Sequence, residues 1–156
     1  MKVVILDNIR SVYNVGSIFR TANACSVDKI FLCGITPTPL DKRGNKRKDF
    51  AKVALGAEDT ISWEYKEDVL SLIKDLKKEN YFVIAIEQDE NSVDYKNIDI
   101  KNKKDIAFIV GSEVDGIKKE ILEESSVVAE IDMLGTKESL NVTIAFGIAL
   151  YRILNI

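Results

Sequence analysis

The chain has 156 residues, of which 46% are apolar, 8% aromatic and 30% charged, the balance of one ordinary globular domain rather than a disordered tail, a collagen-like repeat or a disulfide scaffold. Its 22 basic and 25 acidic side chains leave a net charge of −3, so any nucleic-acid contact has to come from a local basic patch. Histidine is absent, which removes Ser-His-Asp and Cys-His nucleophile systems, the commonest general base, and imidazole-ligated zinc.

From the amino terminus, the apolar run Val3–Leu6 reads as a strand and is too short for the apolar region of a signal peptide. No later run approaches the roughly 20 apolar residues of a membrane span, so no membrane partner is expected. Val15–Cys25 has helical period, with Asn14 placed to cap it and Arg20 six residues further on. Taken alone, this is either a capped surface helix with one arginine or a helix presenting a tethered functional arginine. A second strand follows at Lys29–Cys33. Cys25 and Cys33 both fall inside these elements and read as reduced core residues, which implies a cytoplasmic setting.

Pro37 and Pro39 then open a loop in which Lys42, Arg43, Lys46, Arg47, Lys48 and Lys52 face one acid, Asp49. That is the pattern of a phosphate-contacting loop or of a solvated excursion. Thr60–Tyr65 and Tyr81–Ile86 read as strands on either side of a helix at Lys66–Glu79, and Glu87–Asp99 is acidic. The strand Ile106–Val110 runs into Gly111-Ser-Glu113-Val-Asp-Gly116, where a glycine would permit close backbone approach to a ligand and a carboxylate follows at once. A short helix at Lys118–Glu123 and a strand at Val127–Ile131 come next.

The last segment, Ser139–Leu154, is helical in period and apolar on nearly every side after a polar first turn, as expected of a helix that is buried or lies in an interface. Ala145 and Ala149, four residues apart, would allow close helix approach, and a homodimer built on this helix is expected. The strands are rich in Val, Ile and Phe, mostly do not alternate, and are separated by helices. They predict a single α/β domain over residues 1–156, with a mostly parallel sheet covered by helices on both faces. Neither the dinucleotide-binding nor the P-loop glycine pattern is present.

Three polar segments sit at predicted strand ends, where open parallel sheets bind ligands. They are Asn14-Val-Gly-Ser-Ile-Phe-Arg20-Thr-Ala, Ile109-Val-Gly111-Ser-Glu113-Val-Asp-Gly116, and Ile131-Asp-Met-Leu-Gly135-Thr-Lys-Glu-Ser139-Leu-Asn141-Val. In that order, over about Leu6–Leu150, the chain resembles the SpoU/TrmH family of SPOUT-class RNA 2′-O-ribose methyltransferases. The resemblance implies a deep trefoil knot in the C-terminal part and an S-adenosylmethionine site made by three loops: the end of the Phe82–Ile86 strand, the Gly111 turn and the Ile131–Leu140 turn. Gly111, Ile131 and Leu140 would be the cofactor contacts, with no metal.

By the same resemblance, Asn14, Arg20, Glu113, Ser139 and Asn141 form the catalytic and substrate-positioning set at a dimer interface. Arg20, too basic to take a proton, would orient the ribose and an adjacent phosphate. Asn14 and Glu113 would hold Arg20, and Ser139 and Asn141 would shape the pocket. The basic loop would then be the RNA contact. Transfer RNA is favoured over ribosomal RNA because no additional RNA-binding domain is visible. Three alternatives stay open: a ribosomal RNA methyltransferase, a catalytically silent RNA-binding or ribosome-assembly protein, and an unrelated small-molecule α/β enzyme.

Overall fold

A computed structural model describes all residues, 1–156. Seven strands, β1 (Lys2–Asp7), β2 (Lys29–Cys33), β3 (Ser62–Lys66), β4 (Phe82–Ile86), β5 (Val93–Asp94), β6 (Ile106–Val110) and β7 (Val127–Glu130), make one sheet in the order β3-β2-β1-β6-β4-β7-β5. Every neighbouring pair is parallel. A parallel sheet needs crossovers that cover both faces, which is why β1 and β6 can be apolar without alternation.

The residues divide by pleat. Val4, Leu6, Ile30, Leu32, Ile84 and Phe108 face one core, packed by α1 (Val12–Ala24), α2 (Lys48–Ala54), α3 (Ala57–Thr60) and α6 (Val142–Leu154). Val3, Ile5, Phe31, Val83, Ala85 and Ile109 face the other core, under α4 (Val69–Lys78) and α5 (Lys119–Glu124). Phe146, Ala149, Leu150 and Ile153 bury one side of α6, and each large side chain there contributes about 1.5–3 kcal/mol. The other side keeps Ile144, Ile148 and Tyr151 in solvent. Ala149 therefore turns inward, not toward a second subunit as its spacing with Ala145 suggested.

Several boundaries differ from the sequence expectation. α1 starts three residues before Val15, because Ser11 rather than Asn14 is the cap: its Oγ accepts the Asn14 N–H at 3.3 Å. The basic segment is not one loop. It is a short turn, organised by Asp41 accepting the N–H groups of Arg43 and Asn45, followed by α2 from Lys48. Lys66, expected to open a helix, ends β3, and Asp68 caps α4 instead. β5, two residues long within the acidic Glu87–Asp99 stretch, was not expected. Cys25 and Cys33 are free and buried, and burial pushes the Cys33 thiol up to about 12. No helix is long and apolar enough to cross a membrane.

Candidate active site

β2 and β3 lie on one side of β1, whereas β6, β4, β7 and β5 lie on the other, so the topology switches between β1 and β6. Parallel sheets place ligands at the carboxyl ends of strands near such a switch. A cavity of about 790 Å³ lies at the ends of β4, β6 and β7, within the range of small-molecule sites. Three loops wall it: the residues after Ile86, the Gly111–Ile117 turn, and the Ile131–Asn141 segment. Gly111, Ile131 and Leu140 all border it, as do Glu113, Ser139 and Asn141. Asn14 and Arg20 do not.

The Gly111–Ile117 turn is tight. The Gly116 N–H donates to the Ser112 carbonyl at 2.9 Å, and Ser112 Oγ accepts the N–H groups of Val114 and Asp115. A Cβ on Gly111 would lie 2.6 Å from both the carbonyl carbon and the oxygen of Gly116. Glycine is demanded here by the close approach of the turn's own backbone.

Glu113 ties this turn to the start of α1. Its Oε2 accepts the Arg10 N–H at 2.9 Å, and its Oε1 accepts the Ser11 N–H at 3.2 Å and Asn14 Nδ2 at 2.7 Å. Burial raises its carboxyl pKa, yet the donors from Arg10, Asn14 and Ser11 outweigh it and hold Glu113 below its ordinary value. A carboxylate only accepts, so Asn14 must turn its amide nitrogen to Glu113 and its oxygen outward. That oxygen accepts Asn141 Nδ2 at 3.4 Å. Glu113, Asn14 and Asn141, one from each segment, thus form a hydrogen-bonded chain.

Two expectations fail here. Ser139 does not open the last helix: α6 begins at Val142, and Asn141 is its cap, with Oδ1 accepting the Thr143 N–H at 2.9 Å. Asn141 is therefore no misplaced helix-interior residue. Nor do Asn14 and Glu113 hold Arg20. Six residues along a helix are about 9 Å of rise and about 240° of rotation, so Arg20 leaves a different side of α1, where it is exposed and makes no hydrogen bond or ion pair within the chain.

The basic segment follows β2, at the same carboxyl edge of the sheet as the cavity. Lys46 pairs with Asp59 at 2.7 Å and Arg47 with Asp49 at 2.8 Å. Exposed Lys42, Arg43, Lys48 and Lys52 carry no ion pair. Arg10, between the cavity and this segment, pairs with Asp115 at 3.5 Å. The resemblance pointed to the end of the Phe82–Ile86 strand, but singled out neither Glu87 nor Gln88, which border the cavity there in an acidic stretch without a motif to mark them. No three acidic or cysteine side chains converge where a metal ion could sit.

The model of the SpoU rRNA Methylase family matches residues 1–151. This chain belongs to that family. A TrmH-family tRNA/rRNA methyltransferase of Staphylococcus saprophyticus is 29% identical over 97% of the chain and 57% of its own length. A 23S rRNA (guanosine-2′-O-)-methyltransferase of Xylella fastidiosa is 27% identical over 96% of the chain and 57% of its own. In structure, an AdoMet-bound rRNA methyltransferase from Sinorhizobium meliloti superposes with a TM-score of 0.88 at 29% identity, over 99% of this chain and 56% of that one. The chain thus spans somewhat more than half the length of these SpoU-family relatives. The parallel seven-stranded sheet is the SpoU methyltransferase architecture.

Proposed function

We propose that this chain is a catalytic core that methylates a ribose 2′-hydroxyl of RNA with S-adenosylmethionine, acting as a homodimer. The observation that carries the reading is one cavity at the ends of β4, β6 and β7 walled by two of the polar segments, with the third tied to both of them through Asn14, which bonds Glu113 and Asn141. The cavity suits the cofactor on two counts. Its volume accommodates an adenosyl amino acid. Its walls also join half-buried apolar side chains, Ile131 and Leu140, to the loop backbone around Gly111.

When bound, the cofactor supplies a methyl group already activated on a sulfonium. What remains for the protein is alignment of the ribose oxygen and removal of its proton as the methyl is gained. Arg20 cannot accept that proton, because its guanidinium stays charged. It positions the ribose and a neighbouring phosphate, stabilises the developing oxyanion, and leaves the proton to relay through that phosphate. Glu113 and Asn14 fix the start of α1, and so set where Arg20 is carried. Ser139 lines the ribose side of the pocket.

Dimerisation is part of the reading, since Arg20 has no partner within its own chain. Exposed Ile144, Ile148 and Tyr151 form one apolar face of α6, with Tyr13 of α1 also exposed, a combination that favours burial against a second copy. The trefoil knot belongs to the same reading: α6 packs on β4 and β6, and Arg152 Nη2 donates to the Lys96 carbonyl at 3.2 Å. Pulling the folded chain from both ends in an optical trap should leave it shorter than its full contour length.

We place transfer RNA ahead of ribosomal RNA, because the unpaired cations Lys42, Arg43, Lys48 and Lys52 span one short segment, suited to a compact RNA arm. Labelled S-adenosylmethionine incubated with total RNA, followed by digestion to nucleosides, should yield a 2′-O-methylated nucleoside in the transfer RNA fraction. Label confined to ribosomal RNA would reassign the substrate, and no label in RNA would sink the enzymatic reading.

A further inference from the structure

Glu87 stands at the carboxyl end of β4, half-buried against the cavity. Its Oε2 accepts the Ile117 N–H and its Oε1 the Gln88 N–H, both at 2.9 Å. Oε2 also fills the place where a Cβ on Gly116 would sit, at 2.6 Å. Gly116, with φ +64°, is therefore required twice, once for its backbone conformation and once to admit this carboxylate. Gln88 reaches the opposite way, its Nε2 donating to the Glu138 carbonyl at 3.0 Å. Two consecutive side chains leaving β4 thus hold the two other loops that wall the cavity, and neither belongs to the three polar segments.

We propose that Glu87 and Gln88 are a positioning pair that sets the separation of the Gly111–Ile117 turn and the Ile131–Asn141 loop, so that S-adenosylmethionine meets a preformed pocket. The inference rests on the reading of the cavity as the cofactor site. Its chemistry is specific to a carboxylate. Glu87 faces two N–H donors and offers two acceptor oxygens, whereas a glutamine of the same shape would set its own amide N–H against one of them. The competent turn would then be one populated state among several, and the apparent affinity would fall by the fraction lost.

The test compares Glu87→Gln with Gln88→Ala, the latter at an exposed position where folding is not at stake. In the ligand-free protein, the Ile117 amide should exchange with solvent at least about tenfold faster in Glu87→Gln, while the amides of β6 keep their protection. In Glu87→Gln the Kd and KM for S-adenosylmethionine should rise about tenfold, with kcat at saturating cofactor and KM for RNA within about twofold of wild type. Gln88→Ala should show the same split at about threefold. Unchanged Ile117 exchange and cofactor affinity would overturn the proposal. So would a fall in kcat at constant KM, which would place Glu87 among the reacting groups. If the wild-type protein fails to bind S-adenosylmethionine, the reading of the cavity fails, and the exchange rates in the free protein still decide whether the pair braces the loops.

Discussion

Gly111→Ala adds one methyl group at the point where the Gly111–Ile117 turn closes on itself. The new Cβ would lie 2.6 Å from the Gly116 carbonyl carbon, the Gly116 oxygen and Ile117 Cγ1, whereas carbon atoms in comfortable contact stand about 3.5–4.0 Å apart. Something must move by about 1 Å. The Ile117 side chain can rotate, but Gly116 is held by its N–H to Ser112 and, one residue later, by Ile117 N–H to Glu87. Gly111 itself has no left-handed backbone, so the cost is steric alone. Forced overpacking of this kind costs about 1–3 kcal/mol, and the backbone partners put this case near the upper end. The free variant relieves this strain by shifting the turn, and binding must restore the competent turn against it, so at about 1.4 kcal/mol per tenfold the affinity for S-adenosylmethionine should fall about 30–100-fold. Calorimetric titration measures it, with circular dichroism confirming a folded sheet. Gly135→Ala is the control: no atom lies within 4 Å of a Cβ there, so its melting temperature should stay within about 1 °C of wild type. Wild-type cofactor affinity in a folded Gly111→Ala variant would refute the assignment of this turn to the pocket.

Arg20→Ala should keep cofactor affinity within a few-fold while lowering the methyl-transfer rate at saturating RNA by at least about 10²-fold, as single-turnover kinetics would show; retained turnover would make Arg20 structural. Ile148→Asp places a charge on the exposed apolar face of α6 and should give a folded, inactive monomer by light scattering. Changing the unpaired Lys42, Arg43 and Lys48 to alanine should make the salt dependence of RNA affinity shallower by roughly two units, at about 0.7 per contact on single strands, whereas the paired Lys46 and Arg47 should matter less. Asp7, 2% exposed at the end of β1, has its pKa raised by burial, partly offset by the Asn8 amide. Its folded form therefore binds a proton more readily than the unfolded chain, so its contribution to stability falls as pH rises above about 3.9 and through the raised value. Asp7→Asn should raise the melting temperature at pH 7, and the gain should vanish below about pH 4; an equal gain at both pH values would contradict the burial argument.

The core of the fold was legible because burial on two faces leaves a direct mark on composition. β1, β2, β4 and β6 are short runs of Val, Ile, Leu and Phe that could not face water on either side, and α4 shows a clear apolar stripe. The elements that were misread or missed lack that mark. α2 and α3 are short and carry charges that are ion-paired only after folding, as with Lys46 and Asp59. β5 is two residues, exposed Val93 and half-buried Asp94, recruited by β7. Helix starts were shifted because Ser11 and Asn14, or Ser139 and Asn141, are equally good caps in one dimension, and which of them caps depends on what the other can reach.

The amino-acid sequence by itself determined the alternation of strand and helix, the parallel sheet, and the three polar segments whose order marks the family, since each depends on residue types at near spacings. Only the tertiary structure decided how those segments meet. The reach of Glu113 back to Arg10, Ser11 and Asn14 spans about a hundred positions of chain. The requirement for glycine at Gly111 comes from the backbone of Gly116, and the two-way brace at Glu87 and Gln88 comes from loops that share no local pattern with β4. Hydrogen bonds between segments far apart in sequence depend on where the sheet delivers their ends. Local propensity, which governs caps, turns and periodicity, carries no record of that.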